Sequence, residues 1–158
     1  MERYKSREIG LTAVITALYA LLTVALGNLS YSWIQVRVSD ALLPLSYLYG
    51  LPAVIGVTVG CLIANFFSPV GVIDIIFGTV ANLIAATLSW KLSFKKKILA
   101  CIYPVVVVTA IVPVYLAFFF EVPYWLTALS VAVGETISCI VLGYPLLTLL
   151  EKHLKEKR

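Results

Sequence analysis

Four apolar stretches of membrane-crossing length constrain this chain more than any other feature. They run from about Ile9 to Gly27, Val70 to Trp90, Ile98 to Phe120 and Tyr124 to Leu150, with at most one charged residue in each. A bilayer core of about 30 Å needs about 20 apolar residues in helical form. Lipid also leaves no partner for a free backbone N–H or C=O, so such stretches must be helices or closed barrels. The predicted class is therefore an all-α integral membrane protein, one transmembrane domain over residues 1–158. The chain is 61% apolar against about 45–50% in soluble domains.

The ambiguous piece is Asp40 to Phe67, interrupted at Gly50-Leu51-Pro52. Proline at the start of a helix favours two helices joined by a turn. Basic residues support that division. With six helices and an inner N-terminus, Arg3, Lys5, Arg7, Lys91, Lys95–Lys97 and the Lys152–Arg158 cluster all face one side. That places 11 of the 12 basic residues inside, as the positive-inside rule prefers. Five spans would put the clusters on opposite sides. The expected helices are 8–27, 40–49, 52–67, 71–90, 97–120 and 124–150, with both termini cytoplasmic. The second rises only about 15 Å, so it must be tilted or sheltered by its neighbours.

Three strips of small residues can let helices approach closely: Ala13 and Ala17, Gly56-x-x-x-Gly60-x-x-x-Ala64, and Ser130-x-x-x-Gly134-x-x-x-Ser138. Most such strips only pack a bundle, but one facing outward would dock a second membrane protein. Cys61, Cys101 and Cys139 stand singly in apolar surroundings and read as small buried hydrophobes.

The six-helix topology gathers the polar residues at the outer end. Gln35, Arg37, Ser39 and Asp40 fall in the first outer loop and the top of the second helix, and Asn65 closes the third. Asp74 lies one turn into the fourth helix, with Gly78 and Asn82 below it at steps of four. Glu135 is about 16 Å deep in the sixth. Ionisable groups at such depths are costly and face a cavity or a partner. Arg37 is the lone basic residue on the outer side, where it contacts a ligand or is braced by Asp40. Tyr31 and Trp33 would form an aromatic wall in the loop covering an outward pocket. Carboxylates, amides and aromatic faces suit a flat heterocycle rich in N–H donors.

A Walker A motif, a His-rich metal set and Gly-x-Ser-x-Gly or His-Glu-x-x-His patterns are absent, so nothing supports an enzyme or a resident cofactor. His153 falls in the cytoplasmic tail, solvated.

The blocks Gln35 to Leu42, Gly60 to Pro69, Gly71 to Thr79 and Gly134-Glu135 carry a resemblance that covers essentially the whole chain. It resembles the substrate-binding S components of energy-coupling factor (ECF) transporters, specifically the QueT family of queuosine-precursor transporters. Asp40 departs from the Glu usual there. The resemblance implies a site open to the outside, a deazaguanine ligand such as queuine, a transmembrane coupling subunit and two cytoplasmic ATPases that consume ATP. It also implies that Ala13 and Ala17 dock the coupling subunit. The substrate-binding set is then Tyr31, Trp33, Gln35, Arg37, Asn65, Asp74, Asn82 and Glu135. Two other classes stay open: a stand-alone proton-coupled carrier using Glu135, and an assembly protein without a small ligand.

Overall fold

The computed structural model describes residues 2–32 and 34–156, the side chains of residues 2–4 excepted. Every regular element among them is helical. α1 spans Glu2–Ala25, and α2 is a single turn, Gly27–Ser30. A 3₁₀ segment, Val38–Leu45, runs into the one-turn α3, Ser46–Tyr49. α4 is Leu51–Asn65, α5 Thr79–Lys91 and α6 Lys97–Phe120. α7, Tyr124–Glu135, and α8, Gly143–Glu156, are halves of one 33-residue helix joined by a π-helical segment, Thr136–Leu142. A second π segment, Asp74–Gly78, leads into α5.

Among the described residues, three helices are long and apolar enough to cross a membrane: Lys5–Ala25, Lys97–Phe120 and Tyr124–Glu156. α4 has 15 residues, about 22 Å of helix. Its wall-facing side chains are apolar and exposed, as are those of the longer helices: Ile55, Val59 and Ile63 on α4, Val14 and Leu18 on α1, Val106 and Val114 on α6. An apolar exterior around a core that holds polar groups is the arrangement lipid demands.

The 3₁₀ segment lies at the centre of the bundle. An α-helix was expected from Asp40 to Tyr49, and Pro44 explains part of the difference. Proline cannot donate to the i−4 carbonyl and clashes with it in an α-helix interior. Ser39 through Ser46 are all buried, and α1, α5, α6 and the π segment of α7–α8 enclose them. The neighbours thus shelter the short helix, which could not cross lipid alone.

α1 and α4 pack closely along the Gly56-x-x-x-Gly60 strip. Thr12 and Thr16 donate their hydroxyls to the carbonyls of Pro52 and Gly56, each at 3.1 Å. A Cβ on Gly60 would stand 2.7 Å from Tyr19 Cβ and 2.9 Å from the Thr16 carbonyl. Gly60→Val is therefore expected to force the helices apart and destabilise the protein by about 1–3 kcal/mol, measured by unfolding in detergent. The strip on α1 behaves differently: Ala13 and Ala17 are exposed, on the face turned away from α4. Lys97 pairs with Glu151 at 2.9 Å and ties α6 to α8.

Candidate functional site

Between α2 and the 3₁₀ segment the described residues have no regular structure, and burial alternates along them. Gln35, Arg37 and Ser39 are buried, whereas Ile34 is exposed and Val36 and Val38 are half-buried. Gln35 and Arg37 are thus buried from the irregular loop, and Ser39 from the first turn of the 3₁₀ segment. Gly134 provides the seat. A Cβ there would stand 1.9 Å from the Gln35 carbonyl oxygen, and the Gln35 N–H donates to Ser130 Oγ at 3.1 Å. The third small-residue strip thus receives loop backbone rather than a neighbouring helix.

Beneath the loop the polar side chains form two connected groups. In the first, Arg37 Nη2 lies 3.6 Å from Asp74 Oδ2, with both side chains almost wholly buried. The Tyr115 hydroxyl donates to Asp74 Oδ1 at 2.6 Å. Asn65 Nδ2 donates to the Asp74 carbonyl at 2.9 Å and toward Cys61 Sγ at 3.3 Å, where Arg37 Nη1 also points, at 3.9 Å. Arg37 also stands 5.8 Å over the Tyr31 ring, whose hydroxyl donates to the Ala64 carbonyl at 2.6 Å. In the second group the Tyr19 hydroxyl donates to Asp40 Oδ1, and Asn82 Nδ2 donates to Tyr19 Oη at 2.6 Å. The Cys139 thiol reaches the Asp40 carbonyl at 3.3 Å and Glu135 Oε2 at 3.4 Å.

All the described members of the expected substrate-binding set are therefore in or beside one buried cluster. Trp33 lies outside the described residues. Asp40 is not the brace of Arg37 but the centre of the second group, because the 3₁₀ turn carries it toward Tyr19 and Asn82. Asp74 takes the bracing role. Cys61 and Cys139 are more than small hydrophobes, since their sulfurs line the polar cluster; Cys101 stays in the apolar core. The expected set left out Tyr19 and Tyr115, the second of which reads from the sequence as one more aromatic near the membrane interface. A buried phenol needs a hydrogen-bond partner, which is the signal that could have found them.

Both π segments adjoin the cluster, one opening at Asp74 and the other following Glu135. Such insertions are frequent at functional sites because they turn a side chain out of α-helical register. At the loop end of the bundle a cleft of about 500 Å³ is lined by Val24, Gly27, Asn28, Tyr31, Ser32, Phe67 and Pro69. Tyr31 belongs to both the cleft and the Arg37 group. Removing the Tyr115 hydroxyl bond to a charged acceptor should cost about 1.5–3 kcal/mol, so Tyr115→Phe is expected to lower the unfolding midpoint.

An apolar helical shell around a buried, partly unpaired polar cluster defines a membrane protein built to handle a small polar solute. The comparisons are more specific. The family model described as "QueT transporter" matches residues 9–152, and the chain belongs to that family. The queuosine precursor transporter QueT of Lactococcus lactis subsp. cremoris (strain MG1363) is 30% identical over 157 aligned positions, covering 89% of this chain and 90% of that protein. No solved structure matches.

Proposed function

We propose that this transporter captures a queuosine precursor, a deazaguanine base such as queuine, from outside the cell. It is the substrate-binding S component of an ECF-type importer. A transmembrane coupling subunit and two ATPases drive release, and ATP is used only by those partners. The chain sits in the cell membrane as six helices with both termini cytoplasmic.

One observation carries this function: several polar atoms of the buried cluster have no partner within the protein. They include Arg37 Nε, Asn65 Oδ1 and Gln35 Oε1. A desolvated, unpaired polar atom costs about 1–3 kcal/mol, more if charged, so the cluster is suited to a polar ligand rather than to holding the fold alone. The relative's stated substrate supplies the ligand class. The exposed Ala13 and Ala17 support docking on the coupling subunit, and the run of basic residues supports the orientation.

The test is uptake of labelled queuine into proteoliposomes. Uptake that requires the ATPase pair and falls on Ala13→Trp is the expected result. The buried Glu135 carboxyl, 3.4 Å from the Cys139 thiol, favours one alternative, a stand-alone proton-coupled carrier. Uptake by this chain alone, driven by a proton gradient and lost in Glu135→Gln, would establish that alternative instead.

A further inference from the structure

The unpaired atoms of the cluster have a pattern. Arg37 Nε has no partner, its Nη2 faces Asp74 Oδ2 at 3.6 Å without a hydrogen bond, and Asn65 and Gln35 each present an unpaired carbonyl oxygen. Arg37 and Asn65 are held side by side, because both reach Cys61 Sγ and both are anchored on Asp74. Gln35 is buried two residues before Arg37 in the same loop, its Nε2 tied to the Ser30 carbonyl at 2.7 Å. That bond leaves its carbonyl as the free end. All three side chains are more than nine-tenths buried.

Arginine has only donors, whereas an amide carbonyl only accepts. The cluster therefore offers a forked donor next to acceptors. Its complement is a ring carbonyl flanked by N–H groups, the edge of a 2-aminopyrimidin-4-one. Asp74 is already engaged by Tyr115 on one oxygen and by Arg37 on the other. It orients the guanidinium and does not contact the ligand.

We propose that Arg37 is the specificity-determining residue that recognises the ring carbonyl of the ligand, with Asn65 accepting from the adjoining N–H or exocyclic amine. This rests on the deazaguanine assignment and fixes the orientation of the base within it. An amino group in place of the carbonyl sets donor against donor and is rejected. A ligand lacking the exocyclic amine leaves an acceptor unpaired. A site built to hydrogen-bond one group discriminates strongly against an analogue that cannot.

Binding of three compounds to the purified protein in nanodiscs tests the assignment: 7-deazaguanine, 7-deaza-2,6-diaminopurine and 7-deazahypoxanthine. The wild type is expected to prefer 7-deazaguanine to the diamino compound by about 100-fold or more. Arg37→Gln, whose amide can donate or accept, should bring that ratio to within a few-fold. Arg37→Lys keeps the charge facing Asp74 and a donor, and should retain the preference. Asn65→Leu should erode the preference over 7-deazahypoxanthine and leave the carbonyl preference intact. If Arg37→Gln and Arg37→Lys weaken all three compounds equally, Arg37 only holds the fold and the assignment is overturned. A wild type that binds none of the three overturns the deazaguanine function and the assignment with it.

Discussion

Gly134→Ala is expected to abolish substrate binding while leaving a folded helical protein. The added methyl would sit 1.9 Å from the Gln35 carbonyl oxygen and within 3.2 Å of Val36 Cα. Both are backbone atoms, and no rotamer change can relieve the overlap. The loop must lift by more than 1 Å, and it carries Gln35 and Arg37 in register, so both leave the cluster together. Overpacking of this kind costs about 1–3 kcal/mol of stability. The effect on binding should be larger, since an error of about 1 Å in positioning can cost about 100-fold. Titration calorimetry and helical circular dichroism on the same sample separate the two. Ser130→Ala removes only the anchor to the Gln35 N–H and should weaken binding far less.

Asp74→Leu is expected to be the most destabilising single change in the cluster. It strips the counter-charge from a guanidinium that is 5% exposed, and breaking a buried pair from one side costs about 3–5 kcal/mol. It also removes the acceptor of Tyr115. Adding Arg37→Met removes the stranded charge, and apolar replacement of a whole buried pair is often neutral or stabilising. The double variant should therefore regain most of the lost stability, as measured by unfolding in detergent, but bind no deazaguanine. Recovery of stability without recovery of binding would separate the pair's cost to folding from its use.

Much of this was legible in the residues. Long apolar runs identified the helices, because lipid permits no other use of them. Asn65, Asp74, Asn82 and Glu135 stood out because polar groups in or at the ends of such runs need a reason, and Gln35 and Arg37 because they lie in the polar loop between two runs, Arg37 as its lone basic residue. Their pairing was not legible. Spacing suggested Asp40 as the partner of Arg37, three residues away, but the irregular backbone around Arg37 and the 3₁₀ turn after it separate the two. The turn gives Asp40 to Tyr19, and the bundle gives Arg37 to Asp74 from a different helix. The π segments were invisible as well, since periodicity arguments assume a uniform α-helical repeat. Gly134 read as a helix-packing position, and nothing local revealed that loop backbone would occupy it. Tyr19 merged into its apolar helix because a phenol contributes to hydrophobic patterning as well as to hydrogen bonding.

The central claim is that the buried Arg37–Asp74 cluster holds a deazaguanine. Protein purified from cells supplied with queuine can be denatured and the released small molecules identified by mass spectrometry. The wild type is expected to release a deazaguanine, and the Arg37→Met/Asp74→Leu protein to release none. A wild type that releases an unrelated compound, or a double variant that still carries the deazaguanine, would contradict the account.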